Sequence, residues 1–253
     1  MKIAICGKGG CGKSTFTTML AKQYASEGKK VFIIDSDESN FGLHRLLGVP
    51  LPEDFDDYLG GKQQVLGKMM STMASGETQF NFFDKEVWTT DEIPEKFISE
   101  KDGIKLLASG KIQDSNEGCA CAFGNVIAEF VSKLQLKDDE ILLMDMEAGV
   151  EHFGRGIDNF VDEVVMMVDP SYESLALSEK VGHLCSEINK PLYFVLNRVT
   201  ETSEPVMRKN INAEPEQILA ALPEDEEVLQ SGLMGETLDK VLPQIADCAK
   251  KLA

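Results

Sequence analysis

The sequence predicts an α/β fold: a mostly parallel, doubly wound sheet with helices on both faces, in a single domain over residues 1–253. Short apolar runs rich in β-branched residues alternate with helix-length amphipathic segments, which is typical of βαβ units. Of the 253 residues, 43% are hydrophobic, which is enough for one large core. No repeat, low-complexity tract or linker marks a domain boundary.

Seven apolar segments fit the strands of such a sheet. They are Lys2–Cys6, Lys30–Asp35, Ile104–Ser109, Glu140–Met146, Glu163–Val168, Leu192–Asn197 and Ile218–Leu222. The periodicity of the intervening segments predicts helices over Lys13–Ser26, Val126–Leu134, Tyr172–Ile188 and Gly235–Leu252. The region Pro50–Gly103 is longer than an ordinary loop, and we expect it to carry helices such as Lys62–Ala74 together with an exposed excursion.

The charge and apolar pattern argue against two classes of partner. The net charge is −18, so the average surface repels nucleic acid and anionic lipid. We find no signal-peptide pattern and no run of about 20 apolar residues, and therefore expect a cytoplasmic protein without stable membrane association. Six cysteines in such a chain indicate thiols or metal ligands rather than a disulfide framework.

A glycine-rich segment between the first strand and the first helix fits the phosphate-binding loop pattern G-x-x-x-x-G-K-[ST]. It reads Gly7-Lys8-Gly9-Gly10-Cys11-Gly12-Lys13-Ser14, followed by Thr15. Backbone N–H groups and the helix start would bind phosphate oxygens, Lys13 would neutralise charge, and the Ser14 hydroxyl would reach Mg²⁺. The strand and helix on either side favour this interpretation over a plain glycine turn.

Lys8 is a second lysine near the start of the loop. Two interpretations are open: a side chain that reaches developing negative charge, and a solvated surface lysine. With Lys8, the loop resembles that of the deviant Walker A ATPases, which include partition and cell-division ATPases, nitrogenase iron protein and the arsenite-pump ATPase. In that class the matching lysine crosses a nucleotide-sandwich dimer to the partner's phosphates. The resemblance therefore implies an ATPase that works as a homodimer.

Two further segments place carboxylates at strand ends, where doubly wound folds bind ligands. By similarity to the first switch of the class, Asp37 would orient the attacking water and Asp35 would assist at Mg²⁺. Asp145 follows an apolar strand, as in a Walker B motif, and Gly149 would let its N–H approach the γ-phosphate. Acids after a strand are also common in solvated turns and helix caps.

The base of the bound nucleotide is expected to be adenine. The chain has no Asn-Lys-x-Asp guanine signature. Asn197-Arg198 closes one strand and Pro223-Glu224 follows the next, which matches where the class reads adenine with an Asn side chain and a loop backbone. Asn197 is equally typical of a turn.

Cys119 and Cys121 are separated by one residue. In an extended segment their sulfurs would face one side, and a nearby helix N-terminus would favour the thiolate. Two thiolates do not close a metal site, but pairing with a second copy across a two-fold axis would supply four. The alternative is a pair of small buried apolar residues. Cys6, Cys11, Cys185 and Cys248 are isolated, and we interpret them as buried thiols.

Three segments together resemble the CooC family of accessory ATPases that insert nickel into carbon monoxide dehydrogenase, with close relatives serving acetyl-CoA synthase. They begin at Gly7, Cys119 and Asp145 and read Gly-Lys-Gly-Gly-Cys-Gly-Lys-Ser-Thr, Cys-Ala-Cys-Ala-Phe-Gly-Asn and Asp-Met-Glu-Ala-Gly-Val-Glu-His. The resemblance implies ATP and Mg²⁺ as cofactors, Ni²⁺ at Cys119 and Cys121 with Zn²⁺ as another occupant, and the apo-enzyme as partner.

Two other functions stay open. A MinD- or ParA-like positioning ATPase would act on membrane or DNA and needs a basic surface or an amphipathic anchor, for which Lys250–Ala253 is a poor candidate. An iron–sulfur carrier like nitrogenase iron protein would draw a cluster cysteine from the segment that follows the Asp145 motif. This chain has Val150-Glu151-His152 there.

Overall fold

The computed structural model describes residues 1–37, 42–76, 80–109, 121–146 and 160–252, with residues 121–123 described by their backbone alone. Its strands form one sheet in the order β3-β4-β2-β5-β1-β6-β7-β8, in which β3 runs antiparallel to β4 and the other pairings are parallel. The strands are β1 (Lys2–Gly7), β2 (Lys30–Asp35), β3 (Ser99–Lys101), β4 (Ile104–Ala108), β5 (Glu140–Asp145), β6 (Glu163–Val168), β7 (Leu192–Val199) and β8 (Ile218–Pro223). The predicted fold class and all seven predicted strands are confirmed.

The described helices are α1 (Lys13–Ser26), α2 (Leu43–Leu47), α3 (Lys62–Ser75), α4 (Cys121–Lys133), α5 (Tyr172–Glu187), α6 (Ser203–Asn210), α7 (Glu226–Met234) and α8 (Gln244–Lys251). Short 3₁₀ helices lie at Phe55–Leu59, Thr90–Glu92, Glu95–Phe97 and Pro215–Gln217. Among the described helices, none combines the length and apolar content needed to cross a bilayer.

Both faces of the sheet are covered, which is why its strands are almost continuously apolar. Alternate residues of β1 point to opposite faces. Ile3 and Ile5 pack on the side of α1 and α8, whereas Ala4 and Cys6 pack on the side of α4 and α5. The parallel strands therefore end along one edge, and the predicted phosphate loop and acids lie there.

The single helix predicted over Gly235–Leu252 is wrong. The structure has α7 before this range and α8 at its end, with no helix between them. Asp225 caps α7 by accepting a hydrogen bond from the N–H of Val228, and α7 ends at Gly235 in the left-handed conformation (φ 65°). Pro243 then precedes α8 and cannot continue an earlier helix.

The exposed excursion expected within Pro50–Gly103 is present in part: most side chains in the second half of α3 are exposed, whereas other segments of the region are packed. Helix α3 is present where predicted, but an aromatic cluster anchors the region against α4. The Glu129 carboxylate of α4 accepts hydrogen bonds from the backbone N–H groups of Phe82 (2.6 Å) and Phe83 (3.1 Å). The rings of the cluster belong to Phe55, Tyr58, Phe83, Trp88, Phe97 and Phe130.

Candidate functional site

The glycine-rich loop joins β1 to α1 as predicted, and two of its glycines are required by close packing. A Cβ on Gly7 (φ 141°) would lie 2.6 Å from the carbonyl oxygen of Met167. A Cβ on Gly12 (φ 100°) would collide with the Asn197 side-chain nitrogen. Both positive φ values disfavour any other residue. The loop thus wraps the start of α1, and the Lys13 ammonium donates to the carbonyl oxygen of Lys8 at 3.4 Å.

Three predicted acids meet at the edge of the sheet beside this loop. Asp35 and Asp145 end neighbouring strands in direct register, and the N–H of Asp37 donates to Asp35 Oδ1 at 3.2 Å. All three are buried, with exposures of 2%, 0% and 7% for Asp35, Asp145 and Asp37. Such a concentration of buried carboxylates is stabilised by a cation, and the ammonium of Lys13, itself 5% exposed, acts to lower the pKa of Asp145.

The carboxylate of Asp145 shows where a divalent ion fits. Its Oδ2 accepts a hydrogen bond from the Ser14 hydroxyl at 2.5 Å, whereas Oδ1 is fully buried and has no hydrogen-bond partner within the described residues. Burial, and after it the charge of Asp35, raise the pKa of Asp145 to about 7, while Ser14 and Lys13 act in the opposite direction. Ser14 and Asp145 with an unsatisfied oxygen match the hydroxyl and carboxylate donors that Mg²⁺ prefers.

We expect Asp145→Asn to raise the free energy of unfolding of the nucleotide-free protein by about 1–3 kcal/mol. The folded-state pKa lies above the unfolded value, so the ionised carboxylate costs stability at pH above about 4, and an amide removes that cost. Urea unfolding at pH 8 without nucleotide or Mg²⁺ measures the difference. Asp239→Asn is the control, because this carboxylate is 83% exposed. A variant less stable than the natural protein would contradict the expectation.

A cleft lies next to the loop where β7 and β8 end. Its volume is about 270 Å³, and it is lined by Asn197, Arg198, Pro223 and Glu224 together with apolar side chains of α1 and α7. The Asn197 amide donates to the carbonyl oxygen of Cys11 at 2.8 Å, which ties β7 to the loop, and Arg198 adopts a left-handed conformation (φ 54°). The four residues predicted to surround the base are therefore brought together.

A second, larger cavity of about 620 Å³ shares residues with the first and runs along the loop. We call it the phosphate trough. Its walls are Gly9, Gly10, Gly12, Lys13, Ser14, Thr15, Asp37, Gly42, Arg45, Leu46, Arg198 and Gly232–Gly235. Arg45 and α7 were not expected from the sequence. The signals that would have found α7 are the capping residue Asp225 and the acidic first turn that follows it.

Lys8 is not a freely solvated side chain. Its ammonium donates to the Ser171 hydroxyl at 3.1 Å and lies 3.8 Å from Asp169 and 3.9 Å from Glu173. Ser171 also caps α5 by accepting from the N–H of Ser174. Within one chain, Lys8 thus points toward the start of α5.

The proposed metal motif is only partly visible. Cys119 and Gly149 lie outside the described residues, and only the backbone of Cys121 is described. Cys121 is the first residue of α4, five residues before the predicted helix start at Val126, so the extended geometry expected at Cys121 is wrong. Within the described residues, no group of three or more histidine, cysteine, aspartate or glutamate side chains forms a further site of this kind.

The four isolated cysteines are buried, as expected. Burial raises the pKa of the Cys11 thiol to about 11 and of the Cys248 thiol to about 12. Burial raises the pKa of the Cys6 thiol as well, so Cys6, Cys11 and Cys248 are protonated thiols at neutral pH and poor metal ligands.

Fold and site together define a P-loop nucleotide-binding protein. The chain belongs to the family of the CobQ/CobB/MinD/ParA nucleotide binding domain, whose model matches residues 2–238.

Three similar proteins illustrate the range of this family. The chain is 44% identical over 252 residues to the uncharacterized ATP-binding protein MJ0084 of Methanocaldococcus jannaschii, covering 100% of this chain and 99% of that one. It is 34% identical over 200 residues to the carbon monoxide dehydrogenase accessory protein CooC of Rhodospirillum rubrum, covering 79% and 74% of the two chains. The septum site-determining protein MinD of Pyrococcus horikoshii, complexed with Mg-ADP, superposes with a TM-score of 0.68 at 20% identity, over 99% and 93% of the chains.

Proposed function

We propose that this protein is an ATP-dependent nickel metallochaperone that binds Ni²⁺ between two copies of the chain and delivers it to carbon monoxide dehydrogenase or acetyl-CoA synthase. The observation that carries the proposal is the cysteine pair ending at the first residue of α4, in a chain 34% identical to CooC. A thiolate at a helix N-terminus has a lowered pKa and is a good metal ligand at neutral pH.

In this proposal each residue of the trough and of the neighbouring cleft has a role in ATP hydrolysis. The loop from Gly9 to Thr15 and Lys13 bind the phosphates, while Asn197, Arg198, Pro223 and Glu224 surround adenine. Ser14, Asp145 and Asp35 would hold Mg²⁺, which neutralises phosphate charge when bound. Asp37 orients a water whose oxygen bonds to the γ-phosphorus as the bond to the bridging oxygen breaks, leaving ADP and phosphate. Gly149 is assigned to the γ-phosphate by resemblance alone.

Lys8 couples ATP to dimer formation in this proposal. Its ion pairs in the single chain are long, and Glu173 is 72% exposed, so each contributes at most about 1 kcal/mol. Moving the ammonium from Asp169 and Glu173 to a partner's triphosphate therefore costs little. In return it gains a partner with a much larger negative charge.

Four thiolates from two copies would then surround one ion. Cys119 and Cys121 of each copy supply the sulfurs, and their spacing across the interface depends on how the nucleotide closes the dimer. Ni²⁺ favours a square-planar set and Zn²⁺ a tetrahedral one, so Zn²⁺ is the principal competitor.

We expect the double variant Cys119→Ser, Cys121→Ser to lose tight Ni²⁺ binding while keeping ATP binding. Equilibrium titration with Ni²⁺, in the presence of Mg²⁺ and a non-hydrolysable ATP analogue, should give one tight ion per two chains for the natural protein and none for the variant. Cys248→Ala is the matched control, since this buried thiol is far from the ionised state. Unchanged affinity and stoichiometry in the double variant would remove the metal site and leave the ATPase assignment standing.

The competing positioning function fits the described residues less well. Ile245 and Cys248 of α8 and Leu252 just after it are buried against the core instead of being presented to a membrane. The net charge of −18 opposes binding to DNA or anionic lipid. ATP-dependent co-sedimentation with anionic vesicles or DNA would support this second function against the nickel proposal.

A further inference from the structure

Arg45 is a cation in the phosphate trough with no role assigned above. It lies on α2, the short helix that follows the predicted water-orienting residue along the chain. Its side chain is exposed and lines the same cavity as Lys13, Ser14 and Asp37. The trough is therefore lined by three cationic side chains, those of Lys13, Arg45 and Arg198.

The outer part of the Arg45 side chain lies beside Gly235, the residue that ends α7. The Cδ and Nη1 atoms of Arg45 lie 3.3 Å from where a Cβ on Gly235 would stand, so this glycine leaves the room that the arginine occupies. The N–H of Leu238 donates to the carbonyl oxygen of Leu46 at 2.9 Å, and Leu43, Leu46 and Leu238 are buried. Thus α2 is hydrogen-bonded to the segment after α7, and the Arg45 side chain lies beside the residue that ends α7.

Arg45 has no carboxylate partner among the residues that the structure describes. The chain has 43 acidic residues and 25 lysines and arginines, so an acidic partner for a surface arginine is easy to find. Within the described ranges, however, no carboxylate forms an ion pair with Arg45, whereas Arg208 is paired with Glu204 at 2.8 Å. An arginine that lines an anion site without a carboxylate partner is available for a ligand, and its planar fork suits phosphate oxygens.

We propose that Arg45 binds the β- and γ-phosphates of the nucleotide and strengthens the preference of this site for ATP over ADP. The inference deepens the proposed function and depends on its nucleotide site. Asp37, which acts at the γ-phosphate in that proposal, lines the trough with Arg45, so the guanidinium lies at the phosphate end rather than the base end. Lys13 and Arg45 then contact the phosphates from different elements, α1 and α2.

Isothermal titration calorimetry with a non-hydrolysable ATP analogue and with ADP tests the inference. Arg45→Gln should weaken the ATP analogue about tenfold or more and ADP by a smaller factor, because one charge-assisted contact is lost at the terminal phosphates. Arg45→Lys should recover part of the ATP affinity. The dependence of ATP affinity on salt should also become shallower in Arg45→Gln, since one cation has been removed.

Arg208→Gln is the matched control, because it removes an exposed arginine on α6 that does not line the trough. Equal binding of the ATP analogue by Arg45→Gln and the natural protein would overturn the inference. An equal loss for ATP and ADP would also overturn the preference for ATP. If the natural protein bound neither nucleotide, the proposed function itself would fail, which is a separate result.

Discussion

Lys8→Ala is expected to abolish ATP-dependent dimerisation and to lower the hydrolysis rate about 10³-fold, while each chain still binds ATP. The reason is that a cation supplied in trans to a transferring phosphoryl group contributes on the order of 10³ or more to the rate. Lys8 contributes little to the stability of its own chain, because its contacts with Ser171, Asp169 and Glu173 are few and partly exposed. Sedimentation with and without an ATP analogue, together with phosphate release, measures both effects.

Lys22→Ala is the control for this prediction. This lysine lies on α1 and pairs with the exposed Asp239 at 2.9 Å, so its loss removes a surface ion pair and nothing at the trough. The two variants should be equally stable. Dimer formation by Lys8→Ala with ATP would contradict a role for this lysine in trans and would leave it as a residue that positions α5.

Asp37→Asn is expected to lower the hydrolysis rate about 10²- to 10³-fold with nucleotide affinity retained. The carboxylate of Asp37 is buried at the edge of the sheet, next to Asp35 and on the wall of the trough. An amide preserves the shape of the side chain but orients a water less well, so the loss should fall on the catalytic rate. ATP should then hold the variant as a dimer.

The measurement combines single-turnover hydrolysis with sedimentation of the ATP-bound variant. Asp239→Asn serves as the control, because it changes an exposed aspartate outside the trough. A variant that hydrolyses ATP at the natural rate would transfer the role of Asp37 to another group. A variant that no longer binds ATP would place Asp37 among the residues that hold the nucleotide.

Local patterns were enough to predict most of the sheet and the phosphate loop. The strands β2 and β6 begin and end where the apolar runs do, and α1 and α3 begin at the predicted residues. A strand buried on both faces must be apolar along its length, and a loop that crosses other backbone at close range must carry glycine. These requirements act on neighbouring residues, so they are visible in the sequence.

The errors lie where the outcome depends on distant segments. The apolar period after Gly235 suggested one helix, but Gly235 closes α7 under the side chain of Arg45, which belongs to another part of the chain. The region after Pro50 was expected to carry helices and an exposed excursion, yet its aromatic rings pack against α4. Composition alone does not say which partner will cover an apolar segment.

The sequence by itself determined the chemistry of this protein: a phosphate loop, acids at strand ends, and a spaced pair of cysteines. Only the tertiary structure decided that Lys8 contacts Ser171, 163 residues later, and that Asp145 is buried with one oxygen unsatisfied. It also decided that Arg45 shares the trough with Lys13. The reason is that residue type sets what a group can do, whereas burial and charge neighbours arise only when remote segments pack together.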